Sequence, residues 1–182
     1  LRKLGSYRNI QLIVGILYIM LSLFAMKYVQ DTTVLYIQIF GVFSMIKGFF
    51  EMINYRNIKK RMNNGSSEVV LATGCVDILV GANLIIFVHW KFETLMFIFG
   101  LWFLLNALLN IYTSSVFKEI SVTLWRIIII VYSLCLFIAI GLILQIPKEF
   151  FSYKSMIGSY FLLFGLVKII TSIINKKDIH QV

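Results

Sequence analysis

Acidic residues are few in this chain, eight Asp and Glu among 182 residues, and charged residues of either sign make up only 14%. A soluble domain would carry roughly a quarter, so the composition argues against a water-solvated fold. Histidine occurs only at His89 and His180. The two fall on opposite sides of the membrane in the topology derived below, which removes a catalytic or haem-ligating pair. Cysteine occurs only at Cys75 and Cys135, both inside long apolar segments. Away from an oxidising aqueous compartment they read as small buried hydrophobes, not as a disulfide or metal site. A phosphate-binding glycine loop, a nucleophile elbow, and an acid pair or serine–histidine set for intramembrane proteolysis are all missing. No catalytic residue, no cofactor and no metal is therefore expected, and the chain reads as a non-enzyme.

What the chain does have is apolar length. Hydrophobic residues make up 60% of it and the mean hydropathy is +0.90. Apolar stretches lie at about 10–26, 33–50, 69–88, 94–113, 124–146 and 156–174. As helices rising 1.5 Å per residue, these can cross about 30 Å of hydrocarbon, with Arg8 and Lys27 snorkelling to complete the first. That first stretch lacks a small-x-small cleavage site and is expected to be a retained span, not a signal peptide. The expectation is an all-α integral membrane protein, a single domain over 1–182 with six transmembrane helices. Eleven basic residues fall on one side of these spans: Arg2, Lys3 and Arg8, then Arg56, Lys59, Lys60 and Arg61, then Lys118 and Arg126, then Lys176 and Lys177. Four fall on the other: Lys27, Lys91, Lys148 and Lys154. The positive-inside rule places both termini in the cytoplasm. The net charge of +9 and pI near 9.6 thus sit at loop ends, where anionic lipid headgroups are the natural partner and nucleic acid is not.

The spans are written as three copies of one hairpin. Gly15 and Ser22 with Gly41 and Gly48 open the series; Gly74 and Gly81 with Gly100 and Ala107 follow; Tyr132 and Ala139 with Gly158 and Gly165 close it. The markers recur every 58 or 59 residues, a period that two spans and their turns would fill, giving repeats at about 10–54, 69–113 and 127–171. Residues seven apart lie within about 20° of each other on a helix, so each pair makes a narrow small-residue stripe. In lipid, where helices gain little from hydrophobicity, close backbone approach across such stripes is a main source of attraction. Gly15, Gly41, Gly48, Gly74, Gly81, Gly100, Gly158 and Gly165 are therefore read as packing positions, and Tyr132 is expected to open or tilt its seam. Short outer turns are expected at Lys27–Thr32, His89–Glu93 and Pro147–Ser155. A longer, flexible inner loop is expected at 54–68, around Asn63, Asn64, Gly65, Ser66 and Ser67.

Polar groups interrupt the spans at Lys47, Glu51, Asp77, Asn106, Asn110 and Lys168. A charge at mid-bilayer costs at least about 3 kcal/mol, so these positions demand a role. Counting 1.5 Å per residue, Asp77 lies about 12 Å and Lys168 about 10 Å from the cytoplasmic ends of their spans, and all six share one layer in the inner half of the bilayer. Glu51, Asn110 and Lys168 stand ten positions after Gly41, Gly100 and Gly158; Lys47 and Asn106 stand six positions after the first two. The layer could brace the bundle, snorkel to headgroups, or line a polar path for protons, an ion or a lipid headgroup. Lys47 and Glu51 can pair along one helix. Lys168 is expected to neutralise an acid, Glu51 first and Asp77 second, while Asp77 has no base on its own helix.

Three segments, Ile39-Phe40-Gly41-Val42-Phe43, Ile98-Phe99-Gly100-Leu101-Trp102 and Met156-Ile157-Gly158-Ser159, together with Gly15-Ile16-Leu17, resemble the HdeD-like family of small bacterial membrane proteins. The resemblance covers about residues 10–175. Family members carry a proline in the hairpin turn, which only Pro147 matches here. The resemblance implies six helices with both termini inside, a bacterial cytoplasmic-membrane location and an association with acid resistance; it carries over no functional residues. The expected function is that of a non-enzymatic, stress-protective membrane protein affecting membrane or proton permeability. The alternatives are a small transporter or channel using the polar layer, or an accessory subunit of a larger membrane complex. Its partners are the lipid bilayer and either further copies of itself or such a complex.

Overall fold

The computed structural model describes residues 2–28, 34–59, 64–87, 89–115, 118, 121–145 and 152–174. They form six helices: α1 (Arg2–Tyr28), α2 (Val34–Lys59), α3 (Asn64–Ile86), α4 (Phe92–Thr113), α5 (Val122–Ile143) and α6 (Tyr153–Ile174). Four segments, Glu68–Ile86, Phe92–Thr113, Val122–Ile143 and Tyr153–Ile173, are long and apolar enough to cross a membrane; the apolar helix Gln11–Lys27 is shorter. Large apolar side chains cover the outside of the bundle, among them Leu23, Ile86, Phe137 and Leu144. A continuous apolar exterior of this kind calls for lipid, not water, as solvent. Asn63, Lys60, Arg61, Pro147, Lys148, Lys176 and Lys177 lie outside the described residues.

Each helix packs on its neighbours in sequence, and α6 packs on α1, so the bundle closes into a ring. The most extensive seams are α2/α3, α6/α1 and α4/α5. The close partners thus come from different hairpins of the sequence reading, not from the two arms of one hairpin, whose contact is lighter. Small residues explain the choice. A Cβ on Gly41 would lie 2.9 Å from the Gly81 carbonyl oxygen, and one on Gly48 would lie 2.6 Å from that of Gly74. Across α6/α1, a Cβ on Gly165 would lie 2.9 Å from the Gly15 oxygen, and one on Gly158 would lie 3.2 Å from that of Ser22. In α4/α5, Gly100 faces the Ala139 oxygen at 3.1 Å and Ile143. The pairing order makes every one of these seams antiparallel. The α4/α5 seam, where Tyr132 replaces a small residue, is the least extensive of the three.

The helix bounds depart from the sequence reading in several places, α1 beginning at Arg2 where about 10 was expected and α6 at Tyr153 inside the expected turn. Most of 54–68 is helical: α2 runs to Lys59 and α3 opens at Asn64, so Asn64, Gly65, Ser66 and Ser67 form a first turn. Serine and asparagine favour helix starts as readily as loops, and composition alone does not separate the two. At the other end of the chain α5 stops at Ile143, short of 146, because Gln145 takes a left-handed φ of 50°. Such a residue ends a helix, and its side-chain amide donates to the Glu93 carbonyl at 3.2 Å, tying the α5 end to the start of α4.

Burial recurs at fixed offsets. Tyr18, Asp77 and Cys135, three residues after Gly15, Gly74 and Tyr132, are all buried, as are Ala25, Leu84 and Leu142 seven residues further on. The even-numbered helices supply the centre. Phe40, Phe99, Trp102, Phe103, Tyr160 and Phe161 are almost wholly enclosed. Phe103 stacks on Tyr160 at 3.6 Å, Phe40 stacks on Phe161 at 5.4 Å, and Phe40 meets Phe99 edge-on at 5.6 Å. Cys75, expected inside, is exposed, while Cys135 is buried; neither forms a disulfide. Cys75 follows Gly74 by one residue, about 100° around the helix, and so turns away from the seam.

A buried charge cluster between α2, α3 and α4

Asp77 is the focus of the cluster and is wholly buried. Its Oδ2 is ion-paired with Lys47 Nζ from α2. Its Oδ1 accepts from the Trp102 indole N–H at 2.7 Å and from Asn106 Nδ2 at 3.0 Å, both on α4. Ser44 Oγ donates to the Asp77 backbone oxygen at 2.7 Å. Lys47 also donates to Asn106 Oδ1 at 2.8 Å, approaches Glu51 Oε1 at 3.6 Å, and lies 5.9 Å from the centre of the Tyr18 ring. A charge removed from water is tolerable only when its lone pairs and protons are all engaged. Both carboxylate oxygens of Asp77 meet that demand, and three helices are tied together by it.

The close α2/α3 seam makes the contact possible. Gly48 and Gly74 let the two backbones touch, and Lys47 and Asp77 flank that point one residue before the first and three after the second. Trp102 was not among the expected site residues. A buried indole does need an acceptor for its N–H, and its place two residues after Gly100 was the available sign.

Nearer the C-terminal ends of α2 and α6, engagement is looser. Asn110 Nδ2 donates to the Asn106 carbonyl at 2.8 Å, and Asn110 Oδ1 receives Lys168 Nζ at 3.5 Å and the Tyr132 hydroxyl at 3.4 Å. Lys168 therefore meets an amide where an acid was expected. Among the described residues no carboxylate oxygen lies within 4.0 Å of it. Lys47 explains this: it already neutralises Asp77 and leans on Glu51. Among the described residues Glu51 Oε2 and the Ser22 hydroxyl are buried without a hydrogen-bond partner. Asn110 and Lys168 thus meet, whereas Glu51 bonds to neither. The remaining packing residues named above, Gly15, Gly41, Gly81, Gly100, Gly158 and Gly165, lie along the seams away from the cluster. Among the described residues no group of His, Cys, Asp and Glu could hold a metal ion.

A family model described as a short repeat of unknown function, DUF308, matches residues 13–86. HdeD-like proteins belong to the family of this model. The match takes in most of α1, all of α2 and α3, and with them Lys47, Glu51 and Asp77. No curated protein and no solved structure matches the chain. The chain is thus a membrane-like helical protein carrying a DUF308 short repeat.

Proposed function

We propose that the chain is a non-enzymatic protein of the bacterial cytoplasmic membrane, with six spans in three repeated hairpins and both termini inside. In this reading it protects against acid or related stress by altering the permeability of the bilayer around it, and the Asp77 cluster braces the bundle. The observation that carries the reading is the filled axis: Phe40, Phe99, Trp102, Phe103, Tyr160 and Phe161 pack across the centre beside the charged layer. Ring packing of this density leaves the charges a structural task, because a conducting path would have to displace it. The stress-protective role rests on the resemblance to HdeD-like proteins.

Reconstituted vesicles loaded with a pH-sensitive dye test the first part. After an external acid step, proton entry is expected to be slower than in protein-free vesicles, and an unchanged rate would count against an effect on permeability. Faster entry that disappears in Asp77→Asn would instead make the layer a proton path and favour the transporter reading. Loss of the protein from its host is expected to lower survival of an acid challenge.

Topology has its own test. In a background with Cys75 and Cys135 replaced by serine, single cysteines at Asn64 and Glu93 are treated in intact cells with an impermeant thiol reagent. Labelling is expected at Glu93 and not at Asn64; the reverse pattern would invert the orientation.

A further inference from the structure

The end of the bundle that carries Glu51 and Lys168 holds two opposite charges, each short of a partner. Among the described residues Glu51 Oε2 has no donor, its other oxygen lying 3.6 Å from Lys47 Nζ, and Lys168 Nζ has only the long contact to Asn110. An ammonium has three protons to place and a carboxylate accepts at both oxygens, so each retains capacity for a strong, charge-assisted bond. The two stand at equal register on α2 and α6, Lys168 against Asn110 and Glu51 beside Lys47, which in turn holds Asn106. The layer is less enclosed at Glu51, 17% of whose side chain is exposed against 1% for Lys47, while Oε2 itself is buried. The Lys47–Asp77 pair behind them is saturated and forms the floor.

We infer that this mouth binds a small zwitterion, its anionic phosphate or carboxylate on Lys168 and its ammonium on Glu51 Oε2. A ligand of one sign satisfies one residue and is repelled by the other; water satisfies both but neutralises neither. A zwitterion alone answers both charges. The aromatic packing beyond the floor makes this a blind site that holds its ligand without passing it on. In the proposed topology this mouth lies on the cytoplasmic side, and the inference rests on that topology for nothing else.

Two sources offer this chemistry, a free metabolite of the phosphoethanolamine type and a phosphatidylethanolamine headgroup. The test uses the full chain purified in detergent, followed by thermal unfolding. Phosphoethanolamine is expected to raise the melting temperature saturably, whereas ethylamine and inorganic phosphate at equal concentration do not. If the soluble probe is silent and phosphatidylethanolamine added to the micelles stabilises where phosphatidylglycerol does not, the ligand is the lipid. Glu51→Gln and Lys168→Met are each expected to weaken the effect by roughly ten- to hundredfold in apparent affinity, the loss of one charge-assisted bond. Both leave the Lys47–Asp77 floor in place, and Glu51→Gln keeps the shape of the side chain should Lys168→Met fold poorly. The inference is overturned if neither zwitterion outperforms the singly charged probes, or if the effect survives both substitutions. Since no intact membrane is used, failure here leaves the labelling result on orientation untouched.

Discussion

Lys47→Met is expected to destabilise the protein by about 3–5 kcal/mol, the cost of stranding a buried charge whose partner has been removed. Lys47 is enclosed and Asp77 wholly so. Methionine fills much of the space left by the lysine stem but leaves Asp77 Oδ2 without a donor. Trp102 and Asn106 still serve Oδ1, which keeps the carboxylate in place and therefore exposed to the full penalty. Adding Asp77→Asn should recover most of the loss, because the amide keeps an oxygen for Trp102 and Asn106 and carries no charge. Reversible unfolding in mixed micelles measures both variants. A single variant as stable as the parent, or a double variant no better than the single, would show that the pair is not the brace described here.

Gly81→Ala should be nearly as damaging, even though it adds one carbon. That carbon would sit 2.5 Å from the Gly41 carbonyl oxygen and 2.9 Å from the Met45 nitrogen. Both are backbone atoms, so α2 and α3 must separate along a seam that also positions Lys47 against Asp77. Overpacking of this kind typically costs about 1–3 kcal/mol. Gly158→Ala is the control: its nearest atom, also at 2.5 Å, is Met26 Cγ on a flexible side chain, and the nearest backbone oxygen is 3.2 Å away. It should lose distinctly less than Gly81→Ala in the same unfolding assay. Equal losses would mean that the backbone contact at Gly81 is not what limits the approach.

The helices follow from uninterrupted apolar length, and the level shared by Lys47, Asp77 and Asn106 follows from counting rise per residue. The choice of partner does not. Gly41 presents the same small surface to any neighbour, and only the shape of the whole ring gives it Gly81. Lys47 lies one turn from Glu51, so the local pair was visible, but the shorter contact to Asp77 crosses a seam that no spacing reveals. The same limit misplaced Lys168, whose reach depends on where α6 stands against α4. Cys75 was misjudged for a simpler reason: lying within an apolar helix says nothing about which side of the helix a residue faces.

Ring closure also bears on how the chain is made. Gly15 in α1 rests on Gly165 in α6, so α1 must wait for a helix that is synthesised well after it. Until then its small-residue stripe stays uncovered, while α2 and α3, adjacent in sequence, can already dock and pair Lys47 with Asp77. Contacts between distant parts of a chain form late and slowly because so much intervening chain must first be ordered. A chain that stops before α6 would therefore keep its charge cluster and lose the partner of its first helix, leaving an unpaired apolar segment open to a neighbouring copy.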